Sequence, residues 1–128
     1  MTKGEFAGRA EKFALTAIKV ANKLPETGGN KAVAESLVKS ATRLALLGRN
    51  LNKTNHKSDF IQILDKIIEK SDECVFWIEI IKKSAIIEKE IIDPVWLLAD
   101  EINKTAEFTR KSTKTISQDL IERVLSKE

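Results

Sequence analysis

The stretch that decides the fold is Cys74-Val75-Phe76-Trp77-Ile78-Glu79-Ile80-Ile81, in which seven of eight residues are apolar. It belongs to a predicted helix over 58–85, whose broad apolar face contains Phe60, Ile61, Leu64, Ile67, Ile68, Cys74, Val75, Ile78 and Ile81. Four more apolar residues lie outside that face, so the helix must be covered on several sides. A helix in a small bundle normally keeps one side in water, so we expect a subunit interface formed by Ile63, Phe76, Trp77 and Ile80.

Two helices are predicted before this stretch, over 3–24 and 30–51. Thr2 and Glu5 have the spacing of a capping box at the start of the first helix, and Asn30 is a candidate cap for the second helix. Pro25 favours an end to the first helix at the residue before it. Both segments carry one apolar stripe at steps of three and four, formed by Phe6, Ala10, Phe13, Ala17, Val20 and Leu24 and then by Val33, Leu37, Ala41, Leu44, Leu47 and Leu51.

A fourth helix is predicted over 94–115, with Asp93 as cap and Pro94 as first helical residue. Apolar residues become rare after Phe108 and are frequent again between Ile116 and Leu125. This last segment is either a helical tail to 125 or a docking segment. Four long helices with short connections predict an all-α protein, an antiparallel up-down-up-down four-helix bundle in one domain over 1–128. An open helical array with interlocking subunits is the alternative fold.

The overall composition sets limits on the class of protein. The chain has 128 residues, of which 42% are hydrophobic, so it can bury one core. Two prolines and 5% aromatic residues argue against an all-β fold. No apolar run reaches the length of a membrane span, the charged N-terminus does not resemble a signal peptide, and the single cysteine fits a reducing compartment. We therefore expect a soluble, cytoplasmic protein that does not contact membranes.

The residues that usually carry chemistry are sparse. His56 is the only histidine and has no ligands at metal spacing, so we expect no metal and no cofactor. Cys74 lies on the apolar face, where a thiol is expected to be inert. Neither a phosphate-binding glycine loop nor a nucleophile pattern is present in the sequence. The sequence therefore argues against an enzyme.

The net charge of +3 is concentrated in two clusters. The first contains Arg43, Arg49, Lys53 and Lys57 and no acid, and the second contains Lys104, Arg110, Lys111 and Lys114 around Glu107. These side chains are candidates for contacts with RNA or DNA phosphates, or they only keep the helix faces solvated. The acidic pair Asp72 and Glu73 is expected to meet Arg43 or a lysine of a neighbouring helix or subunit.

Beyond periodicity, the string Asp72–Ile81 resembles a family signature, D-E-x-x-[YF]-W-[LI]-E-[LI]-[LI], of the four helix bundle proteins, also called 23S ribosomal RNA intervening-sequence proteins. Further similar motifs are Phe13–Lys19 with Leu24-Pro25, Ser40 and Thr42, Ser58–Ile61, and Glu101-Ile102. The second helix departs from the family pattern, because Ala45-Leu46-Leu47 and Arg49-Asn50 stand where the family has an asparagine and an acid.

This resemblance implies a four-helix bundle without catalytic activity that assembles as a ring, commonly a homopentamer. It implies bacterial origin and, as the usual proposal, nucleic-acid binding. A related pentameric protein is an accessory factor of the reverse transcriptase in diversity-generating retroelements. That relative makes a protein-interaction adaptor the alternative function, and the tail between Ile116 and Leu125 would suit it.

Overall fold

The computed structural model describes the backbone of residues 1–126 and the side chains of residues 1–113. It contains four helices, α1 (Lys3–Lys23), α2 (Gly29–Asn52), α3 (Lys57–Ser84) and α4 (Lys89–Ser126). No strand occurs within residues 1–126. The prediction of an all-α protein with four helices is therefore confirmed.

The first three helices start within one residue of the predicted positions, and the predicted cap is confirmed for α1 but not for α2. Thr2 caps α1 as expected, since its Oγ1 accepts a hydrogen bond from the Glu5 N–H at 3.0 Å. Before α2, Gly28 has a φ of 56°, a left-handed conformation that glycine adopts at little cost, and it replaces Asn30 as the cap. His56 precedes α3 in an extended conformation and makes no side-chain cap bond.

The start of α4 differs from the prediction. The helix begins at Lys89, so Pro94 lies inside it and is not its first residue. The N–H groups of Ile91 and Ile92 both donate to the carbonyl of Glu88, at 3.0 and 3.2 Å, and build the first turn before the proline is reached. Proline cannot donate to the carbonyl of Glu90, four residues earlier, and its ring crowds that carbonyl, but Glu90 is exposed to solvent. The helix then continues without interruption to Ser126.

Each helix packs against its neighbours in the sequence, and α1 also contacts α4. The core between them consists largely of the predicted stripes, with Phe13, Leu37, Leu44, Leu64, Ile67, Ile78, Ile81 and Ile92 among its fully buried side chains. Within the described residues, no helix is both long and apolar enough to cross a membrane.

The contact between α1 and α2 is close. A Cβ atom added to Gly48 would lie 3.2 Å from the Cβ of Ala10 and 3.6 Å from the Cα of Ala7. Small residues on both helices therefore bring the two backbones together, and Phe13 and Leu44, each about one turn away on its helix, are fully buried in the core.

The contact between α3 and α4 contains a small polar centre. The amide nitrogen of Asn103 donates to Ser71 Oγ at 2.9 Å and to the carbonyl of Ile68 at 3.3 Å, and both side chains are buried. Ser71 Oγ in turn donates to the Ile68 carbonyl at 3.1 Å. These bonds stabilise one alignment of α4 along α3, because buried polar groups without partners are costly.

Candidate functional site

An open groove of about 980 Å³ runs between α2 and α3. Its lining includes Lys39, Ser40, Arg43 and Leu46 from α2 and Phe76 and Trp77 from α3. Leu46 is 45% exposed and Phe76 is 52% exposed, although both are large and apolar. The groove is thus the place where the two central helices leave apolar surface in solvent.

The aromatic side of the groove is a contacting pair. The rings of Phe76 and Trp77 lie edge to face, with centroids 4.9 Å apart and an interplanar angle of 74°. Trp77 is half-buried and packs against the core, whereas Phe76 extends into solvent. Such rigid aromatic groups are typical anchors of protein interfaces.

The four predicted interface residues do not form one surface. Phe76 and Trp77 line the groove, and Ile80 is half-buried one turn beyond them on α3. Ile63 is half-buried and lines a separate recess at the α2–α3 connection, together with Lys53 and Asp59. The structure therefore brings together two of the four and leaves Ile63 apart.

Glu73 binds partners different from the one predicted for it. Ser40 Oγ donates to Glu73 Oε2 at 3.1 Å, and Lys70 Nζ lies 3.2 Å from both carboxylate oxygens. Lys70 is on the same helix, one turn earlier, so Glu73 does not need Arg43. Arg43 has no ion pair among the side chains of residues 1–113.

The first basic cluster is exposed but spread along the molecule. Arg43 lines the groove, Arg49 lies further along α2, Lys53 directly follows the end of α2, and Lys57 is the first residue of α3. All four side chains are exposed, and none pairs with a carboxylate within the part of the chain whose side chains are described. Two of the four share a recess with acids, since Arg43 lines the groove with Asp72 and Glu73 and Lys53 lies in a recess with Asp59.

The second basic cluster is largely neutralised by acids. Lys104 Nζ lies 2.9 Å from Asp100 Oδ2, and the hydrogen bond and charge of Asp100 raise the pKa of Lys104. Arg110 Nε lies 2.7 Å from Asp65 Oδ1 on α3. Lys111 is exposed, and the side chain of Lys114 lies outside the described residues. The charges of Lys104 and Arg110 are thus paired with carboxylates of the same chain.

The single thiol is buried, as predicted. Burial first, and the negative charge of Glu73 second, raise the pKa of Cys74 to about 12. A thiol that stays protonated is a poor nucleophile. Within the described residues, no group of three or more histidine, cysteine or acidic side chains could hold a metal ion.

Sequence reasoning missed two features of the groove. The ion pair of Lys70 with Glu73 was not predicted, although their spacing of three residues on one helix allows it. Leu46 was noted only as a departure from a family pattern. Its position between the buried Leu44 and Leu47 already places it outside the core stripe, and this spacing could have identified an exposed leucine.

Comparisons with known proteins support the fold. Neither a family model nor a curated protein matches the chain. Among solved structures, the fold is similar to that of a protein of unknown function from the S23 ribosomal protein family of Bacteroides thetaiotaomicron, with a TM-score of 0.75 and 19% sequence identity. The alignment covers 83% of this chain and 98% of that protein. A similarity at this level of identity shows a shared four-helix fold.

Proposed function

We propose that the protein is a non-enzymatic, self-assembling four-helix bundle of the ribosomal RNA intervening-sequence type, and that it forms a ring, with five copies as the expected number. The observation that carries this proposal is the α2–α3 groove, where Phe76, Trp77 and Leu46 present apolar surface to solvent. Burial of exposed apolar surface between subunits is the main favourable contribution to stable association.

An antiparallel course of the helices, which the proposal includes, is supported by contacts at matching heights. Gly48 near the end of α2 lies against Ala10 near the start of α1. Lys82 near the end of α3 pairs with Asp93 near the start of α4, at 2.9 Å. A cytoplasmic location remains part of the proposal.

Multi-angle light scattering of the purified chain tests self-assembly. We expect a mass several times the 14.4 kDa of one chain at micromolar concentration. Phe76→Ser should lower that mass, because it removes the most exposed aromatic ring of the groove. The control is Leu15→Ser, which removes a 56% exposed apolar side chain on α1 and should leave the mass unchanged. A monomer at all concentrations would contradict the proposal.

Nucleic-acid binding is the second candidate function, and the exposed first basic cluster favours it. Arg49, Lys53 and Lys57 carry charges that are not used in ion pairs among the described side chains. Charges of this kind contact phosphates without reading the base sequence. The second cluster contributes less to this proposal, since Lys104 and Arg110 are paired with acids.

Titration of structured RNA and of duplex DNA at two salt concentrations tests this function. We expect binding that weakens as salt rises, and a loss of affinity in Arg49→Gln/Lys53→Gln. Lys104→Gln/Arg110→Gln is the control with the same change in charge and should bind nearly as well as the wild type. No binding at low salt, or binding without salt dependence, would contradict an electrostatic contact.

The adaptor alternative depends on residues 116–125, whose side chains lie outside the described residues, and on the apolar surface of α3. It stays a prediction. The gene neighbourhood distinguishes the two roles, because a ribosomal RNA gene favours the intervening-sequence role and a reverse-transcriptase gene favours the adaptor.

A further inference from the structure

An unpaired basic stripe on α2 and an unpaired acidic stripe on α4 face solvent in the same chain. The basic stripe consists of Arg43 and Leu46 on α2 and of Lys53, which caps the end of α2 in a helical conformation, and all three side chains are exposed. The acidic stripe consists of Glu90, Leu97 and Glu101, which are exposed as well. Leu97 is 52% exposed, close to the 45% of Leu46, so each stripe has one apolar residue in solvent.

The charges of both stripes are available to a partner. Among the side chains of residues 1–113, the acids Asp93 and Asp100 of α4 pair with Lys82 and Lys104. Glu90 and Glu101 have no such pair in that part of the chain. Arg43 and Lys53 likewise lack a carboxylate partner there.

The spacing of the two stripes matches when the helices run in opposite directions. Lys53 lies seven residues after Leu46, and Glu90 lies seven residues before Leu97. Arg43 lies three residues before Leu46, and Glu101 lies four residues after Leu97. At a rise of about 1.5 Å per residue, both stripes place a charge about 10 Å from the leucine on one side and about 5 to 6 Å on the other.

The stripes cannot meet within one chain. Both leucines are on the outer sides of their helices, and α2 and α4 make no direct contact in the described structure. An α4 helix that covers the basic stripe must therefore come from another copy of the chain. The acidic stripe has the required charges, the required apolar residue and the required spacing.

We propose that the acidic stripe of one copy binds the basic stripe of a second copy beside the α2–α3 groove, with Leu97 against Leu46 and with Glu101 and Glu90 near Arg43 and Lys53. This proposal rests on the proposed self-assembly and specifies its surfaces. The two surfaces differ, so the contact is head to tail. Contacts of this type produce closed rings or open filaments, not isolated two-fold dimers.

Charge reversal tests the pairing. Arg43→Glu/Lys53→Glu and Glu90→Lys/Glu101→Lys should each raise the dissociation constant of the assembly at least about tenfold, because like charges then face each other. The combination of all four substitutions in one chain should restore it to within about threefold of the wild type, since complementary charges are again opposite. Sedimentation velocity over a range of concentrations measures these constants, and circular dichroism checks that each variant is folded.

Lys12→Glu/Lys19→Glu is the matched control, because it reverses two exposed charges on the outer side of α1. It should leave the assembly unchanged.

If the wild type is monomeric, both this inference and the proposed self-assembly fail. If the wild type assembles but Glu90→Lys/Glu101→Lys has no effect, or if the fourfold variant is not restored, only the pairing of these stripes is overturned. Loss of RNA binding at an unchanged mass in Arg43→Glu/Lys53→Glu would assign the basic stripe to nucleic acid and also overturn it.

Discussion

Helix α2 has two very different neighbours. Against α1, Gly48 and Ala10 allow the backbones to come close, and Leu44 is fully buried. Against α3, the same helix forms an open groove in which Leu46 remains 45% exposed. The side of α2 that faces α1 is thus buried in the core of the single chain. The side that lines the α2–α3 groove leaves apolar surface exposed to solvent. The difference is the reason why the proposed self-assembly is placed on the α2–α3 side.

The largest expected effect separates two phenylalanines. Phe13→Ala should lower the free energy of unfolding by about 3 to 5 kcal/mol, because Phe13 is fully buried and its loss leaves a cavity. Phe76→Ala makes the same chemical change at a side chain that is 52% exposed and should cost about 1 kcal/mol or less. Urea denaturation at a concentration where the chain is monomeric measures both. Equal losses would show that the groove is closed in the monomer.

A smaller effect is expected where α1 and α2 approach. Gly48→Val should destabilise the fold by about 1 to 3 kcal/mol relative to Gly8→Val, because overpacking forces the helices apart. The two substitutions share the same change in helix propensity, but a Cβ at Gly8 would meet nothing within 4 Å. Thermal unfolding of both variants measures the difference. No difference between them would mean that α2 can shift away from Ala10 without cost.

Within the groove, the bond from Ser40 to Glu73 should contribute little. Ser40→Ala is expected to cost about 0.5 to 1 kcal/mol, since Glu73 is partly exposed and keeps Lys70 as a partner. Thr42→Ala is the control, because Thr42 Oγ1 bonds only to carbonyls of its own helix, including that of Val38 at 2.8 Å. A loss well above 1 kcal/mol for Ser40→Ala, measured in urea, would indicate that this bond holds α2 and α3 together.

A thiol on the core side of α3 and a thiol in the α2–α3 groove should differ in their rates of chemical modification. Cys74 is buried with a pKa of about 12, so a thiol reagent should modify it only after unfolding. In a Cys74→Ser background, Thr42→Cys in the groove should react at the rate of a free thiol. Rapid reaction of native Cys74 would show that α3 opens on its core side.

The same thiol gives a pH dependence of stability. Its pKa is raised in the folded state from the ordinary 9.0, so the folded chain keeps the proton that the unfolded chain loses. The contribution is present below pH 9 and declines as the pH rises towards 12. The stability difference between the wild type and Cys74→Ala should therefore shrink by about 1 kcal/mol between pH 9 and 10. A constant difference across this interval would contradict a buried thiol.

The local parts of the fold could be predicted because they depend on nearby residues. The spacing of Thr2 and Glu5 predicted the first cap, and the stripe through Phe13 predicted which face of α1 is buried. The start of α4 was placed too late, because Pro94 favours a first helical position, whereas α4 accepts it in its second turn at the loss of one helical hydrogen bond. Periodicity alone could not choose between these positions.

The candidate site could be predicted only in part, because periodicity identifies a face but not its neighbour. The apolar excess at Phe76 and Trp77 indicated an uncovered surface on α3. That Arg43 and Leu46 lie across from them depends on the rotation of α2, which no local pattern determines. The pairing of Arg110 with Asp65 likewise depends on how α4 is placed against α3.

The buried amide of Asn103 has a consequence for how this protein can change over time. A shift of α4 by one turn along α3 would separate that amide from Ser71 and from the Ile68 carbonyl. The position of α4 along α3 is therefore determined by buried residues. The outward residues of the helix are then free to mutate without altering where they are displayed. A lineage could exchange one binding partner for another by surface substitutions alone, while the fold underneath stays the same.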